Sequence, residues 1–147
     1  MRALLQRVTR ARVSVEGEVV GAIEGGLMVL LGVGPGDGPD VARTMADKSV
    51  DLRIFRDEDG RTNRSLADVG GSMLVVSQFT LYGDTRKGRR PSFIGAAPPD
   101  LASELVEVFA AAVAGRGIEV ARGRFGAEME VELVNDGPMT IWLDSDA

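Results

Sequence analysis

Apolar residues in the first third of the chain fall in short runs separated by glycine and charge. Ala3-Leu4-Leu5 with Val8, then Val13 and Val15, then Val19-Val20 with Ile23, precede the run Leu27-Met28-Val29-Leu30-Leu31. Glu16-Gly17-Glu18 predicts a tight hairpin and Gly25-Gly26 a second turn, so the chain opens as a β-meander. The run Leu27–Leu31 is apolar on both faces, the pattern of a buried central strand. Gly32 to Gly38 reads as a loop, and Pro39-Asp40 as the start of a helix carrying Val41, Met45 and Leu52 on one side. Arg53-Ile54-Phe55 predicts a short strand, followed by the polar turn Asp57-Glu58-Asp59-Gly60. Ser72–Val76 predicts another buried strand.

A second helix is expected after Pro98-Pro99-Asp100, with Leu101, Leu105, Val108, Phe109 and Ala112 on one stripe. Gly115 and Gly117 end it. Two strands close the chain: Met129, Val131 and Leu133 alternate with Glu128, Glu130 and Glu132, and Met139–Leu143 follow a turn. The pattern predicts one α/β domain over residues 1–147, mostly antiparallel and barrel-like, with two covering helices.

Composition narrows the chemistry. The chain has neither cysteine nor histidine, which removes disulfides, thiolate metal sites, a cysteine nucleophile, a one-chain Ser-His-Asp triad and histidine-ligated zinc. Hydrolysis here would use hydroxyls, carboxylates, backbone donors or a group of the substrate; no metal and no cofactor are expected. The polar Gln6-Arg7 follows Met1–Leu5 at once, so no secretory signal is read, and Leu27–Leu31 is far short of a membrane span of roughly 20 residues. The expected location is the cytoplasm, with no membrane partner. A net charge of −5 argues against coating a nucleic-acid backbone broadly, though one basic patch suffices for the tip of an RNA.

Gly32-Val33-Gly34-Pro35-Gly36-Asp37-Gly38 lacks the third glycine of a dinucleotide loop in either register and has no following Gly-Lys-Ser/Thr, so it reads as a strand-to-helix loop. Asp57–Gly60 lacks the later ligands of a calcium loop and reads as a solvated turn. Glu128, Glu130 and Glu132 read as a water-facing strand rather than a cation site. Arg86-Lys87-Gly88-Arg89-Arg90 is either a solvated loop or a phosphate-contacting patch. Arg7, inside an apolar strand pattern, must face water or be paired. Ser77-Gln78-Phe79-Thr80 at a strand end either satisfies loose backbone groups or aims successive N–H groups at one point, as an oxyanion hole requires. Asn135-Asp136-Gly137-Pro138 suits a hairpin turn.

Taken in order, Gln6-Arg7-Val8, Ser77–Leu81, Arg90-Pro91-Ser92-Phe93, Gly123-Arg124-Phe125-Gly126 and Asn135–Thr140 closely resemble the D-aminoacyl-tRNA deacylase family, over essentially the whole chain. The resemblance implies a homodimer acting on the aminoacylated 3′ end of tRNA, with each active site at the subunit interface. It implies that Gly137-Pro138 is cis, reaches into the partner's pocket, binds the substrate's α-amino group through carbonyl oxygens and leaves no room for an L side chain. Ser77, Gln78, Phe79 and Thr80 would line the reacting ester, Phe125 and Met129 would hold the terminal adenosine, and Arg7 would fix the Gly-Pro orientation. Met139, where valine is more usual, is a conservative departure. A filter working by exclusion would also pass glycine. Two mechanisms remain: Thr80 Oγ as nucleophile, or water positioned by the adenosine 2′-hydroxyl with Phe79 and Thr80 N–H groups stabilising the oxyanion. The second is favoured, because no histidine is present to activate Thr80. The rival class is a non-catalytic RNA-end or nucleotide-binding module.

Overall fold

The computed structural model describes all 147 residues, Met1–Ala147. Its organising element is β1, a 14-residue strand over Arg2–Val15 that joins the first two apolar runs into one. It turns at Glu16-Gly17 (φ 50° and 80°) into β2, Glu18–Ile23, as the Gly17 signal predicted. Gly25-Gly26 makes no second hairpin. β2 and β3 (Gly26–Gly32) lie end to end along one edge of β1, and the pairs Ala11–Ile23 and Val8–Gly26 stay in the same register. The meander is thus a single long hairpin with a bend at Glu24-Gly25, because both runs find their hydrogen-bond partners on the same strand.

After β3 come α1 (Pro39–Asp51), the small hairpin of β4 (Phe55–Arg56) and β5 (Thr62–Arg64), and α2 (Leu66–Val69). β6 (Ser72–Ser77) and a 3-10 turn (Phe79–Tyr82) lead to α3 (Pro99–Ala114), β7 (Val120–Arg122) and β8 (Glu130–Asp144). β6 joins β3 in parallel and β7 joins β6 in parallel, while every other pairing is antiparallel. The sheet curls until β2 meets β7: a methyl on Gly21 would collide with the Arg122 carbonyl, so glycine permits that approach.

β3 is apolar on both faces because each face is covered. Leu27, Val29 and Leu31 pack with Leu105, Phe109 and Val113 of α3, while Met28 joins Val8, Val13, Leu74 and Val76 inside the curl. The α1 stripe differs from the expected one: Ala42, Met45, Ala46 and Val50 face the core, and Leu52 caps the helix end. Small side chains at 42 and 46 let α1 lie close against α3. The third helix, α2, was not foreseen. Its capping box is nonetheless written in the chain, Ser65 Oγ accepting from Asp68 N–H while Asp68 accepts from Ser65 N–H.

The close of the chain is also corrected. Asn135–Pro138 is not a hairpin turn between two strands but an interruption within one strand. Both halves of β8 run antiparallel to β1, Glu130–Val134 against Ser14–Arg10 and Thr140–Asp144 against Gln6–Arg2. Between the pairs Val8–Asn135 and Gln6–Thr140 one residue of β1, Arg7, stands opposite four of β8, Asp136–Met139. Proline has no N–H for a ladder, and a bulge is where a long strand tolerates it.

Candidate active site

Two clusters of the predicted residues emerge. The first is an open cleft of about 680 Å³ between the end of β6, the start of α3 and the segment leading into β8. Ser77, Gln78, Phe79, Phe125 and Met129 all line it. Buried Val75 and Val76 fix the end of β6, and Gln78 N–H donates to the Leu31 carbonyl at 2.8 Å, so the chain leaves the sheet at a defined point. It then enters the 3-10 turn, where Leu81 N–H donates to the Gln78 carbonyl and Gly83 N–H to the Thr80 carbonyl. The N–H groups of Phe79 and Thr80, at the head of that turn, donate to no protein acceptor. Gln78 Nε2 donates to Thr80 Oγ1 at 2.5 Å, and the hydroxyl has no carboxylate or other base within hydrogen-bond reach.

The opposite wall follows from Gly123-Arg124-Phe125-Gly126. Gly123 N–H extends the sheet by donating to Val75, Ala127 N–H closes a turn on the Arg124 carbonyl, and Gly126 takes a φ of 77° that suits glycine. A methyl on Gly123 would lie 2.8 Å from Met129 Sδ, so glycine makes room for the thioether, which also accepts from Arg124 N–H. Phe125 and Met129 thereby present an aromatic ring and a polarisable chain to the cleft. Phe93 stands edge-on to Phe79, with ring centroids 5.1 Å apart, and lines the mouth. Glu128, expected to face only water, is the one carboxylate in the lining. Phe93 and Glu128 were named in the sequence without a place in the cleft, because that place depends on segments distant in sequence.

The second cluster is centred on Arg7, which is 3% exposed. Opposite the bulge, its Nη1 donates to the Ile54 carbonyl at 2.5 Å, its Nε donates to the Asp136 carbonyl at 3.2 Å, and the Asp136 carboxylate lies 3.3 Å away. Asp136 is shared: Arg56 makes a two-pronged hydrogen bond to it, and that bond, with the nearby Arg7 charge, holds its carboxyl below the usual carboxylate range. Asn135 Nδ2 ties both sides of the bulge, donating to the Arg7 and Met139 carbonyls. The Gly137-Pro138 peptide is cis, and Gly137 has a φ of 120°. Neither residue lines the cleft within one chain, and Arg7 does not either. Arg56 and the Ile54 carbonyl are the members of this cluster that the sequence reading missed.

The buried guanidinium fixes an expected stability effect. Arg7→Met strands the Ile54 carbonyl and frees the bulge, while Asp136 keeps Arg56. The loss should fall near the lower end of the 3–5 kcal/mol seen when a buried pair is broken, about 3 kcal/mol by urea unfolding. A change under about 0.5 kcal/mol would mean that Arg7 does not hold the bulge.

The cleft offers an apolar slot lined by Phe79, whose N–H is unpaired, and the unpaired Thr80 N–H is next in the chain, just outside the lining. The slot suits a flat apolar group attached to a carbonyl that gains negative charge. The family described as D-Tyr-tRNA(Tyr) deacylase matches residues 4–144. A D-aminoacyl-tRNA deacylase of Roseiflexus sp. (strain RS-1) is 62% identical over 145 residues, covering 99% of this chain and 94% of that protein. Among solved structures, the c-Myc DNA Unwinding Element Binding Protein is 40% identical with a TM-score of 0.93, each chain being covered in full. A probable eukaryotic D-amino acid tRNA deacylase, 19% identical with a TM-score of 0.85 over 97% of each chain, has the same fold.

Proposed function

The chain belongs to the D-Tyr-tRNA(Tyr) deacylase family, and from that premise we propose that it hydrolyses the ester joining a D-amino acid to the 3′ end of tRNA, releasing both. The observation that carries the reading is the pair of unpaired N–H groups, Phe79 and Thr80, beside an apolar cleft walled by Phe125 and Met129. The terminal adenosine lies against Phe125 and Met129, and the ester carbonyl points at the two donors. As water adds, the carbonyl oxygen becomes an oxyanion, and each well-placed donor stabilises it by about 3–4 kcal/mol. The adenosine 2′-hydroxyl positions the water. Thr80 Oγ1 is held by Gln78 and has no base to deprotonate it, which supports a positioning role over a nucleophilic one.

Chirality is checked by exclusion. The enzyme works as a homodimer, and Gly137-Pro138 of one copy enters the cleft of the other, where its carbonyls take the α-ammonium and its backbone blocks an L side chain. Such a block discriminates without a pocket for any particular side chain, so many D-amino acids and glycine are accepted. Support for the second copy comes from β8. Only its β1 edge is paired, and it leaves Trp142, Val131 and Val134 exposed, a long apolar edge that a lone domain would have to shield. No helix is long and apolar enough to cross a membrane, and we place the enzyme in the cytoplasm, where tRNA is charged.

Single-turnover hydrolysis of D-tyrosyl-, L-tyrosyl- and glycyl-tRNA tests the reading, with sedimentation giving the oligomeric state. Turnover of the D and glycyl esters by a dimer is expected, with the L ester untouched. Stoichiometric binding without turnover would establish the rival, an RNA-end binding module.

A further inference from the structure

The basic run Arg86–Arg90 is not used by the chemistry above, and its surroundings bear on what it does. It lies in a loop pinned at its base, where Asp84 N–H donates to the Ser92 carbonyl and Ser92 N–H to the Asp84 carbonyl, at 2.7 and 2.9 Å. Arg86 is spent on that frame: its Nε and Nη2 donate to the two Asp84 oxygens at 2.9 and 2.7 Å. These bonds draw the Asp84 carboxyl down to about 2. Asp84 is the only acid between residues 84 and 93, and it is already occupied.

Lys87, Arg89 and Arg90 are exposed and make no ion pair. Of the chain's 17 lysines and arginines, nine form ion pairs. Three of the other eight stand within these four residues, and another, Arg124, adjoins Phe125 on the far wall of the cleft. Surface cations of an acidic protein commonly settle beside its carboxylates, and these three do not. The loop also leads straight to the cleft. Arg90 is three residues from Phe93, whose ring meets Phe79 at the mouth, so Arg90 stands within roughly 10 Å of chain length from it and Lys87, six residues away, within about 20 Å.

We propose that the pinned Asp84–Ser92 loop binds the sugar–phosphate backbone of the single-stranded RNA that precedes the terminal adenosine, with Lys87, Arg89 and Arg90 on its phosphates. The proposal rests on the deacylase reading for which end of the RNA is bound. Exposed Phe93 and Phe79 supply an aromatic surface next to the cations, the combination that holds an unpaired strand without reading its bases. Arg86 acts as a brace for the loop and not as a contact.

The test compares wild type with Lys87→Ala/Arg89→Ala/Arg90→Ala, which leaves Asp84, Arg86 and Ser92 intact. Binding of uncharged tRNA is measured from 50 to 200 mM salt, and hydrolysis is followed on D-tyrosyl-tRNA and on the minimal ester D-tyrosyl-adenosine. At about 0.7 per phosphate on a single strand, losing three contacts lowers the log–log salt slope by about 2. Over that salt range wild-type affinity should therefore fall about twentyfold further than the variant's. kcat/KM should drop on the tRNA and stay within about twofold on the minimal ester. An unchanged salt slope overturns the proposal, as does equal damage to both ester substrates, which would make the loop structural. If wild type cleaves neither ester, the deacylase reading falls, and the binding slope still decides the loop.

Discussion

A D-aminoacyl-tRNA whose terminal adenosine lacks the 2′-hydroxyl is expected to be cleaved at least about a hundredfold more slowly than the native ester, while Thr80→Ala keeps at least a tenth of wild-type turnover. The contrast follows from what surrounds the reacting group. The chain has no histidine, and Thr80 Oγ1 meets only Gln78 Nε2, a donor that cannot take its proton. A hydroxyl without a base is a poor nucleophile near neutral pH. Positioning and proton transfer by a well-placed group are worth roughly 10²–10⁴ in rate, and in the proposed reaction that group is the substrate's own 2′-hydroxyl. Thr80→Ala keeps the Phe79 and Thr80 N–H groups, because they belong to the backbone. Single-turnover rates on the four enzyme–substrate combinations give the answer. Loss of roughly five orders of magnitude in Thr80→Ala, with the deoxy substrate unharmed, would make Thr80 the nucleophile.

How much of this was legible without the structure depends on how local each signal is. The Gly17 hairpin, the Pro39 and Pro99 helix starts and the two-faced apolar run of β3 rest on neighbours a few residues apart, and all stand where the pattern puts them. Gly25-Gly26 and Asn135–Pro138 have the composition of turns, but their conformation is decided by β1, a strand over a hundred positions away from the second of them. Turn residues permit a reversal without requiring one. When the flanking runs both have their partners on one strand, the same residues make a bend or a bulge. Arg7 was marked by its isolation among apolar neighbours, which said that it must be paired but not with what; Ile54 and Asp136 are non-local answers. The α2 helix is the opposite case, since Ser65-x-x-Asp68 is a local signal that was present and unread. Ser77–Phe79, Phe125 and Met129 come together through β6 and the approach to β8, a meeting that spacing alone does not contain, while Thr80 follows just outside the lining.

Gly137→Ala is expected to damage both the fold and the activity. Gly137 sits at a φ of 120°, where a side chain brings about 1–3 kcal/mol of strain. The added Cβ would also lie 2.5 Å from Arg7 Nη2 and 3.1 Å from the Met139 nitrogen. Neither neighbour yields easily. The guanidinium is held by the Ile54 and Asp136 carbonyls, and Met139 is tied through Asn135. The bulge must therefore shift, and with it the backbone proposed to reject L side chains. A loss of about 2–4 kcal/mol corresponds to a Tm lower by roughly 5–15 °C for a domain of this size. Activity separates the filter from mere stability. At a temperature where the variant is folded by circular dichroism, hydrolysis of D-tyrosyl-tRNA should fall at least about a hundredfold, or L-tyrosyl-tRNA should begin to be cleaved. The companion Arg7→Ala/Gly137→Ala removes the clashing partner. It should lose about 1–2 kcal/mol less stability than the two single losses predict, as contacting residues do. It should not regain discrimination, because nothing then positions Gly137-Pro138. A Gly137→Ala enzyme with normal D-ester turnover and intact rejection of the L ester would remove this bulge from the chiral check and leave Arg7 as a structural residue alone.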